Sequence, residues 1–262
     1  MRLTRRVILL GGAAFALTGE ASAAALTLRE VSAVLAKTRS GQRPDFSHQD
    51  LGFLDLSDLD FKQATLVGSN LYGTNLSRAD LSGSDLSGAT LDHATITRTN
   101  FSNATLVNAS MFDIAAYSTL EPSLAEAPNF AGADLSGALV VARLTGVDLH
   151  GANLTHARLG DARHRLLTPF ANDFSGCNLS AADLTGVDLH DMSLAFAKLI
   201  GADLSGANLA GTDLAGADLT GANLNGTDLT GADLDGTILR RVKGLGGAKG
   251  LDHARHRDKA VY

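Results

Sequence analysis

The chain of 262 residues has no tryptophan, one cysteine, four prolines and only 5% aromatic residues. A lone thiol excludes a disulfide framework, a cysteine-built zinc site and an iron–sulfur cluster. So few prolines exclude a collagen-like chain, and 45% hydrophobic residues are too many for a disordered one. The shortage of aromatic side chains points to a thin core rather than a thick globular one. The apolar run Val7–Leu17, 11 residues long, falls short of the roughly 20 needed to cross a bilayer. What the chain does have is glycine, 28 residues of it.

The Val7–Leu17 run is flanked as a targeting segment is. Arg2, Arg5 and Arg6 precede it, and Ala21-Ser22-Ala23 follows as a small-x-small cleavage signature, placing the cut between Ala23 and Ala24. Thr4-Arg5-Arg6-Val7-Ile8-Leu9 resembles the twin-arginine motif, a receptor-read export address. A general secretory signal and an uncleaved N-terminus are the alternatives. Export by either route places the mature protein in the periplasm or outside the cell. No cysteine follows the run, which argues against a lipid-anchored form.

Without residues 1–23 the 22 basic and 28 acidic residues become 19 and 27, a formal charge of −8. Residues 240–262 carry +5 of that, which leaves −13 on residues 24–239. So acidic a body repels phosphates, and direct nucleic-acid binding is not expected. The basic end reads as a tail that leans on the acidic body, with an anionic lipid surface or an acidic partner as the alternative.

An apolar residue recurs every fifth position from Phe46 to Met111, fourteen times in unbroken register. The series resumes at Phe130, loses one residue in Leu139-Val140-Val141, reaches Leu159, and runs again from Phe174 to Leu239. In all there are 35 repeats. Two residues before the centre the side chain is usually small, as at Ala202 and Ala207. One before, it is Asp or Asn, as at Asp203 and Asn208, and two after it is glycine at every repeat from Gly201 to Gly236.

A period of five suits no straight element. On an α-helix each centre advances about 140°, spreading the leucines around the cylinder. On a strand an odd period flips each centre to the opposite face. A chain that turns a corner every five residues buries them all, with the small residue and the leucine inward and the Asp or Asn outward. Glycine then falls at the corner, where a positive φ costs it nothing.

Ala202-Asp203-Leu204-Ser205-Gly206 and Ala207-Asn208-Leu209-Ala210-Gly211 resemble the A(D/N)LXX consensus of the pentapeptide-repeat family, and the likeness extends over residues 44–241. The resemblance implies an all-β solenoid, a right-handed quadrilateral β-helix with four pentapeptides per coil. Thirty-five repeats then make roughly nine coils, a rod of about 42 Å at about 4.8 Å per coil. Residues 24–43 hold a capping helix, because Thr27-Leu28-Arg29-Glu30 matches a capping box and Leu28, Val31 and Leu35 share a helical face. Residues 242–262 form the tail, in which Val242, Leu245 and Leu251 can cover the last coil.

Two interruptions are the places where a regular scaffold carries recognition. Residues 112–129 read as a projecting loop with Tyr117 and Glu121 as candidate contacts, and residues 160–173 place His164 and Pro169 where leucine belongs, with Arg165 beside them. Either segment reads equally as an inert insertion. Catalytic constellations are sparse. His150 and His190, 40 residues apart, are expected on one face but about 9.6 Å apart, too far to share a metal directly. His150, His156, Asp161 and His164 have a slim chance of converging near the second interruption, and His253 and His256 are a weak pair. Gly244–Gly250 lacks phosphate-loop spacing and reads as a flexible terminus, and Cys177 sits at an inward position as a small hydrophobe.

No enzyme, cofactor or metal site is expected. The leading reading is an exported, non-enzymatic scaffold or protein-binding module of the cell envelope, with a protein partner of unknown identity and the option of pairing two rods as a homodimer. The resemblance implies one alternative, a protein that mimics DNA and binds and protects a type II topoisomerase such as gyrase; the −13 body, Asp183 and Asp203 suit it, and an export signal does not.

Overall fold

A computed structural model describes residues 25–38, 41–119, 121–159 and 173–262. The five-residue unit is a complete hydrogen-bonding scheme, seen in Asn70–Thr74. The Asn70 amide donates to Gln49 O of the preceding coil at 2.9 Å, and the Leu71 and Gly73 amides donate to Thr90 O and Asp92 O of the following coil at 2.7 and 2.9 Å. Thr74 N closes the turn on Leu71 O at 3.1 Å. That leaves one amide, Tyr72 N, and the Asn70 side chain takes it at 3.0 Å. Asp or Asn precedes most centres because its short side-chain oxygen reaches the N–H the ladder omits.

Repetition of this unit produces four rows of parallel bridges, between residues 20 apart in the regular coils. The first row runs from Asp45 to Lys243 and the second from Asp50 to Lys249. The second passes through a short three-stranded sheet of β1 (Ser110–Phe112), β2 (Leu139–Val141) and β3 (Arg158–Leu159), with Met111 opposite Val140 and Val140 opposite Leu159. The third row runs from Asp55 to Ala115 and again from Arg143 to Arg255, and the fourth from Asp60 to Val261. The result is a repeat β-helix of ten coils, coil 1 beginning at Asp45 and coil 10 at Lys243.

The centres form the core. From Leu51 to Leu234 the leucines at centres are almost fully buried, and Phe46, Phe61, Phe101, Phe130 and Phe174 replace leucine without breaking the stack. Each buried side chain of this size contributes about 1.5–3 kcal/mol. The inward small position is usually alanine, and where threonine replaces it the hydroxyl donates to a backbone carbonyl of the coil before: Thr74 to Leu51 O at 2.9 Å, Thr99 to Leu76 O at 2.8 Å, Thr227 to Leu204 O at 2.7 Å. Among the described residues the interior holds an apolar void of about 10 Å³, lined by Met111, Phe130, Val140 and Leu144 among others. It lies beside coil 5, where the step from Leu139 to Arg143 is one residue short.

Helix α1 (Leu28–Lys37) covers coil 1. Thr27 Oγ1 accepts from Glu30 N at 3.3 Å while Glu30 Oε2 accepts from Thr27 N at 2.8 Å, so the expected capping box is formed. Val31 is buried, and Leu26 N donates to Asp50 O at 2.9 Å.

The other end differs from the expected tail. Residues 242–261 make coil 10 in steps of six: Lys243, Lys249, Arg255 and Val261 bridge to Asn223, Asp228, Asp233 and Ile238. Gly244, Gly250 and His256 take positive φ, and 3-10 turns at Leu245–Gly247, Leu251–His253 and Arg257–Lys259 absorb the sixth residue. The Gly244–Gly250 stretch is therefore coil, and a period of six hid it from a search at five.

Candidate protein-binding surface

Since leucine fills the interior, chemistry is confined to the outer positions. Along each row the Asp and Asn side chains touch. Asn70 Nδ2 donates to Asp50 Oδ1 at 2.8 Å, Asn75 to Asp55 at 2.9 Å and Asn223 to Asp203 at 3.0 Å. Alternating the amide with the carboxylate removes like-charge contact between coils. Between the neighbours Asp60 and Asp80 a cation is recruited, Lys62 sitting 3.2 Å from Asp80 and 3.7 Å from Asp60. The Ser205 hydroxyl holds the Asp203 carboxyl below the usual range against a smaller opposing effect of burial, and Asp228 is lowered in the same way by Thr230. Three rows end on the cations of coil 10, Lys243, Lys249 and Arg255, and Lys259 reaches back to Asp235 at 2.8 Å.

The corner position has positive φ in nearly every regular unit. From Gly201 to Gly236 glycine fills it. Elsewhere His48, Phe53, Asp58, Gln63, Arg78, His93 and Arg98 adopt the same backbone, as does Phe196. Several of these side chains lie over a glycine in the next coil: a Cβ on Gly73 would come 2.8 Å from the Phe53 ring, and one on Gly68 2.7 Å from His48. Others meet a polar group, with Arg78 Nε 2.6 Å from Asp58, His93 Nδ1 3.1 Å from Asp113 and Arg98 Nε 2.8 Å from Ala125 O.

The first interruption is smaller and flatter than the projecting loop expected over residues 112–129. Phe112 lies in β1, Ala115 bridges Thr95, Ala116 fills a centre position, and Asn129 bridges Asn100. A centre filled by alanine ended the visible leucine series. The irregular residues 117–128 lie against the third row. The Tyr117 hydroxyl donates to Thr145 O, and burial pushes its pKa well up. Glu126 O accepts from Arg98 N at 2.7 Å, and Ala125 O accepts from Arg98 Nε at 2.8 Å. Ser118 N closes the loop on Glu126 Oε2 at 2.9 Å. Leu124 lies over Gly146, where any Cβ would collide with it, and is itself 75% exposed. Below the loop Asp173 accepts from Thr145 Oγ1 at 2.9 Å and lies 3.7 Å from Arg143 Nε. Burial raises the Asp173 pKa, and the Ser175, Thr145 and Arg143 contacts outweigh it and lower it overall.

Of the expected contact residues, Tyr117 is half-buried as an anchor, and exposed Glu121 accepts at its backbone O from Thr119 Oγ1 at 2.9 Å. His164, Arg165, Asp161 and Pro169 lie outside the described residues, as do Arg5, Arg6, Ala23 and Ala24.

A comparison with family models matches "Pentapeptide repeats", in eight copies, at residues 45–78, 74–111, 126–163, 173–209 and 202–241. The chain belongs to the pentapeptide-repeat family. No curated protein matches it. Among solved structures it is similar to HetL, a pentapeptide repeat protein involved in heterocyst differentiation regulation from the cyanobacterium Nostoc sp. strain PCC 7120. That pair is 26% identical over 90% of this chain and 100% of that one, with a TM-score of 0.41. Full-length QnrB1, a plasmid-mediated fluoroquinolone resistance protein, is 21% identical over 75% of this chain and 90% of that one, with a TM-score of 0.33. A pentapeptide repeat protein from the Arabidopsis thaliana thylakoid lumen is 24% identical over 55% and 66%, with a TM-score of 0.20. These scores are low, and the assignment stands on the repeat match.

The pentapeptide-repeat register also corrects the histidines. His150 follows a fourth-row centre, since Asp148 bridges Asn178, whereas His190 follows a second-row centre, since Asp188 bridges Asn208. They do not share a face, because the 15 residues from Arg158 to Asp173 advance one row where three pentapeptides in register would advance three. His190 Nδ1 is 2.8 Å from Asp188, and His256 Nδ1 is 2.8 Å from Asp233. Cys177 is buried and its thiol is pushed up to about 12, chiefly by that burial. No group of acidic, His and Cys side chains able to hold a metal, and no helix long and apolar enough to cross a membrane, occurs among the described residues. One feature of the pentapeptide-repeat exterior escaped the sequence reading: Phe53, Tyr72, His93 and Phe112 lie in one file on the second row, with ring centroids 5.3, 5.1 and 5.9 Å apart. Their spacings of 19, 21 and 19 residues are the signal in the sequence, blurred because Phe53 and His93 stand two after a centre and Tyr72 and Phe112 one after.

Proposed function

We infer that this chain is a non-enzymatic pentapeptide-repeat protein that binds another protein through its outer surface, after export by a twin-arginine-type signal in residues 1–23. The observation that supports the binding reading most is the filled interior. With leucines and phenylalanines closing the core of the described coils, the outer rows and the segment 117–128 are what the described coils offer a partner. The right hand and square section of the family's β-helix are part of this reading. Export is supported by Arg5, Arg6, the Val7–Leu17 run and Ala21-Ser22-Ala23. The test begins with cell fractionation and N-terminal sequencing of the mature chain, beside an Arg5→Lys, Arg6→Lys variant. A periplasmic chain beginning near Ala24, retained in the cytoplasm in the variant, is the expected result. Cross-linking in the envelope then compares the full chain with one lacking residues 117–128; partners that all survive the deletion would remove that segment from the site.

A second reading is favoured by the acidic rows, where Asp183 bridges Asp203 and Asp213 bridges Asp233: a DNA-like surface for a type II topoisomerase. It requires an uncleaved, cytoplasmic chain and protection of the enzyme in a supercoiling assay. Failure of both removes it.

A further inference from the structure

The described exterior places its aromatic side chains unevenly. The sequence has ten phenylalanines and three tyrosines. Phe46, Phe61, Phe101, Phe130 and Phe174 are core centres, and Tyr117 anchors the insertion. Of the exterior aromatic rings, Phe53, Tyr72 and Phe112 stand in one file on coils 1, 2 and 4, with His93 of coil 3 completing it. Every neighbouring pair meets edge to face.

Folding does not account for this file. Phe53 has φ 61° and is 76% exposed, so it carries the strain of a bulky side chain in a left-handed backbone, about 1–2 kcal/mol, while burying little. Glycine fills the same position one coil later, at Gly73, and gives the Phe53 ring its seat. Phe112 is held in place from the coil before, its amide donating to Asp92 Oδ1 at 3.0 Å and the Ser110 hydroxyl donating to the same oxygen at 2.6 Å. Strained, exposed or braced rings are the pattern of a contact surface, where aromatic side chains are enriched.

The charges beside the file select the partner. The outward positions of the second row in coils 1 to 4 carry Asp50, Asp92 and Asp113 and no Lys or Arg. The cations of the neighbouring third row are engaged there, Arg78 by Asp58 and Arg98 by Ala125 O. Ring faces and carboxylates together attract guanidinium and ammonium groups and repel phosphate. The file is long enough for an extended segment of about five residues at about 3.3 Å each.

We propose that the second-row exterior of coils 1–4 docks an extended Arg- or Lys-bearing segment of a protein partner, whose cationic side chains lie on Phe53, Tyr72 and Phe112 between Asp92 and Asp113. The proposal rests on the protein-binding reading but uses a surface apart from residues 117–128. The probe is a synthetic peptide of alternating Arg and Ser, titrated against the full chain by calorimetry at two salt concentrations, with a Glu–Ser peptide and a neutral hexasaccharide alongside. The variant Phe53→Gly with Tyr72→Ser removes two rings and relieves the backbone at residue 53, and thermal melting verifies that it folds. Phe196→Gly removes an exposed phenylalanine from the same kind of corner elsewhere. The expected result is Arg–Ser binding that falls at least tenfold in the double variant and is unchanged in Phe196→Gly. Equal binding by all three proteins would show attraction to the acidic body alone and overturn the proposal. So would absence of Arg–Ser binding, preference for the hexasaccharide, or a wild-type dimer in sedimentation that the double variant dissolves. None of those results touches envelope cross-linking, so the broader reading stands or falls separately.

Discussion

Coils 1–3 and coils 8–9 share an interior and differ at their corners. In both, leucine centres are buried and small residues sit inward, with Thr74 and Thr227 donating to the coil before in the same way. At the positive-φ corner, coils 8 and 9 use glycine from Gly206 to Gly236 and one other residue, Arg241, whereas coils 1–3 use His48, Phe53, Asp58, Gln63, Arg78, His93, Arg98 and Asn103 beside four glycines. A non-glycine residue there costs about 1–2 kcal/mol. The contrast separates what the fold requires, a filled core and a turn every five residues, from what it tolerates at a cost. The N-terminal coils carry that cost and offset part of it with ion pairs, glycine seats and ring contacts. The C-terminal coils are closer to a bare scaffold.

The largest effect should show that the interiors are equivalent. Leu71→Ala and Leu204→Ala should each lose about 3 kcal/mol in denaturant unfolding. A loss much smaller at Leu71 would mean that coils 1–3 are packed differently after all. The corner difference is sharpened by exchanging its residues. Gly206→Val should lose about 2 kcal/mol, while Gln63→Gly should gain about 0.5 kcal/mol, because relief of strain outweighs the added flexibility of the unfolded chain. If Gln63→Gly is destabilising, the N-terminal corners are not strained and the comparison fails.

A smaller effect belongs to the outer ladder. Asp203→Ala should lose about 1 kcal/mol by melting, since Ser205 N and Asn223 Nδ2 lose their acceptor, and Asp203→Asn should lose less because its amide oxygen still serves Ser205. Acid should distinguish the regions least, because both carry aspartates. Asp55 and Asp203 are held below their ordinary 3.8, chiefly by the Ser57 and Ser205 hydroxyls. Since folding lowers these pKa values, their stabilisation is complete above about pH 3.8 and is lost as pH falls through the lower folded values. Melting temperatures measured from pH 7 downward should therefore stay level as far as these groups are concerned and decline only below that point.

Much of the architecture was legible because one interaction repeats. Leucine at every fifth residue, a small residue before it and glycine after it report burial, coil spacing and the corner separately, and they agree from Gly201 to Gly236. Legibility failed where a single unit departed from the rule. Ala116 fills a centre without being leucine, coil 5 is one residue short, and coil 10 steps by six. Departures in spacing shift the register of everything after them, and the 15 residues from Arg158 to Asp173, which advance a single row, put His150 and His190 on different faces. The surface was less legible still. Tyr117 was singled out, but nothing local indicated that its hydroxyl would pin the segment to Thr145.

The sequence by itself determined the repeat, the inward and outward positions, the capping box at Thr27 and the acidic exterior. All of these depend on residues within about five positions of one another, so the local pattern contains them. Only the tertiary structure decided which coil follows which across the first interruption, that the basic end closes as a tenth coil against Asn223, Asp228 and Asp233, and that Phe53, Tyr72, His93 and Phe112 stand in file. Those are contacts between residues about 20 positions apart. Their identity depends on the accumulated number of residues per turn, and that number is set by how each coil packs on the last.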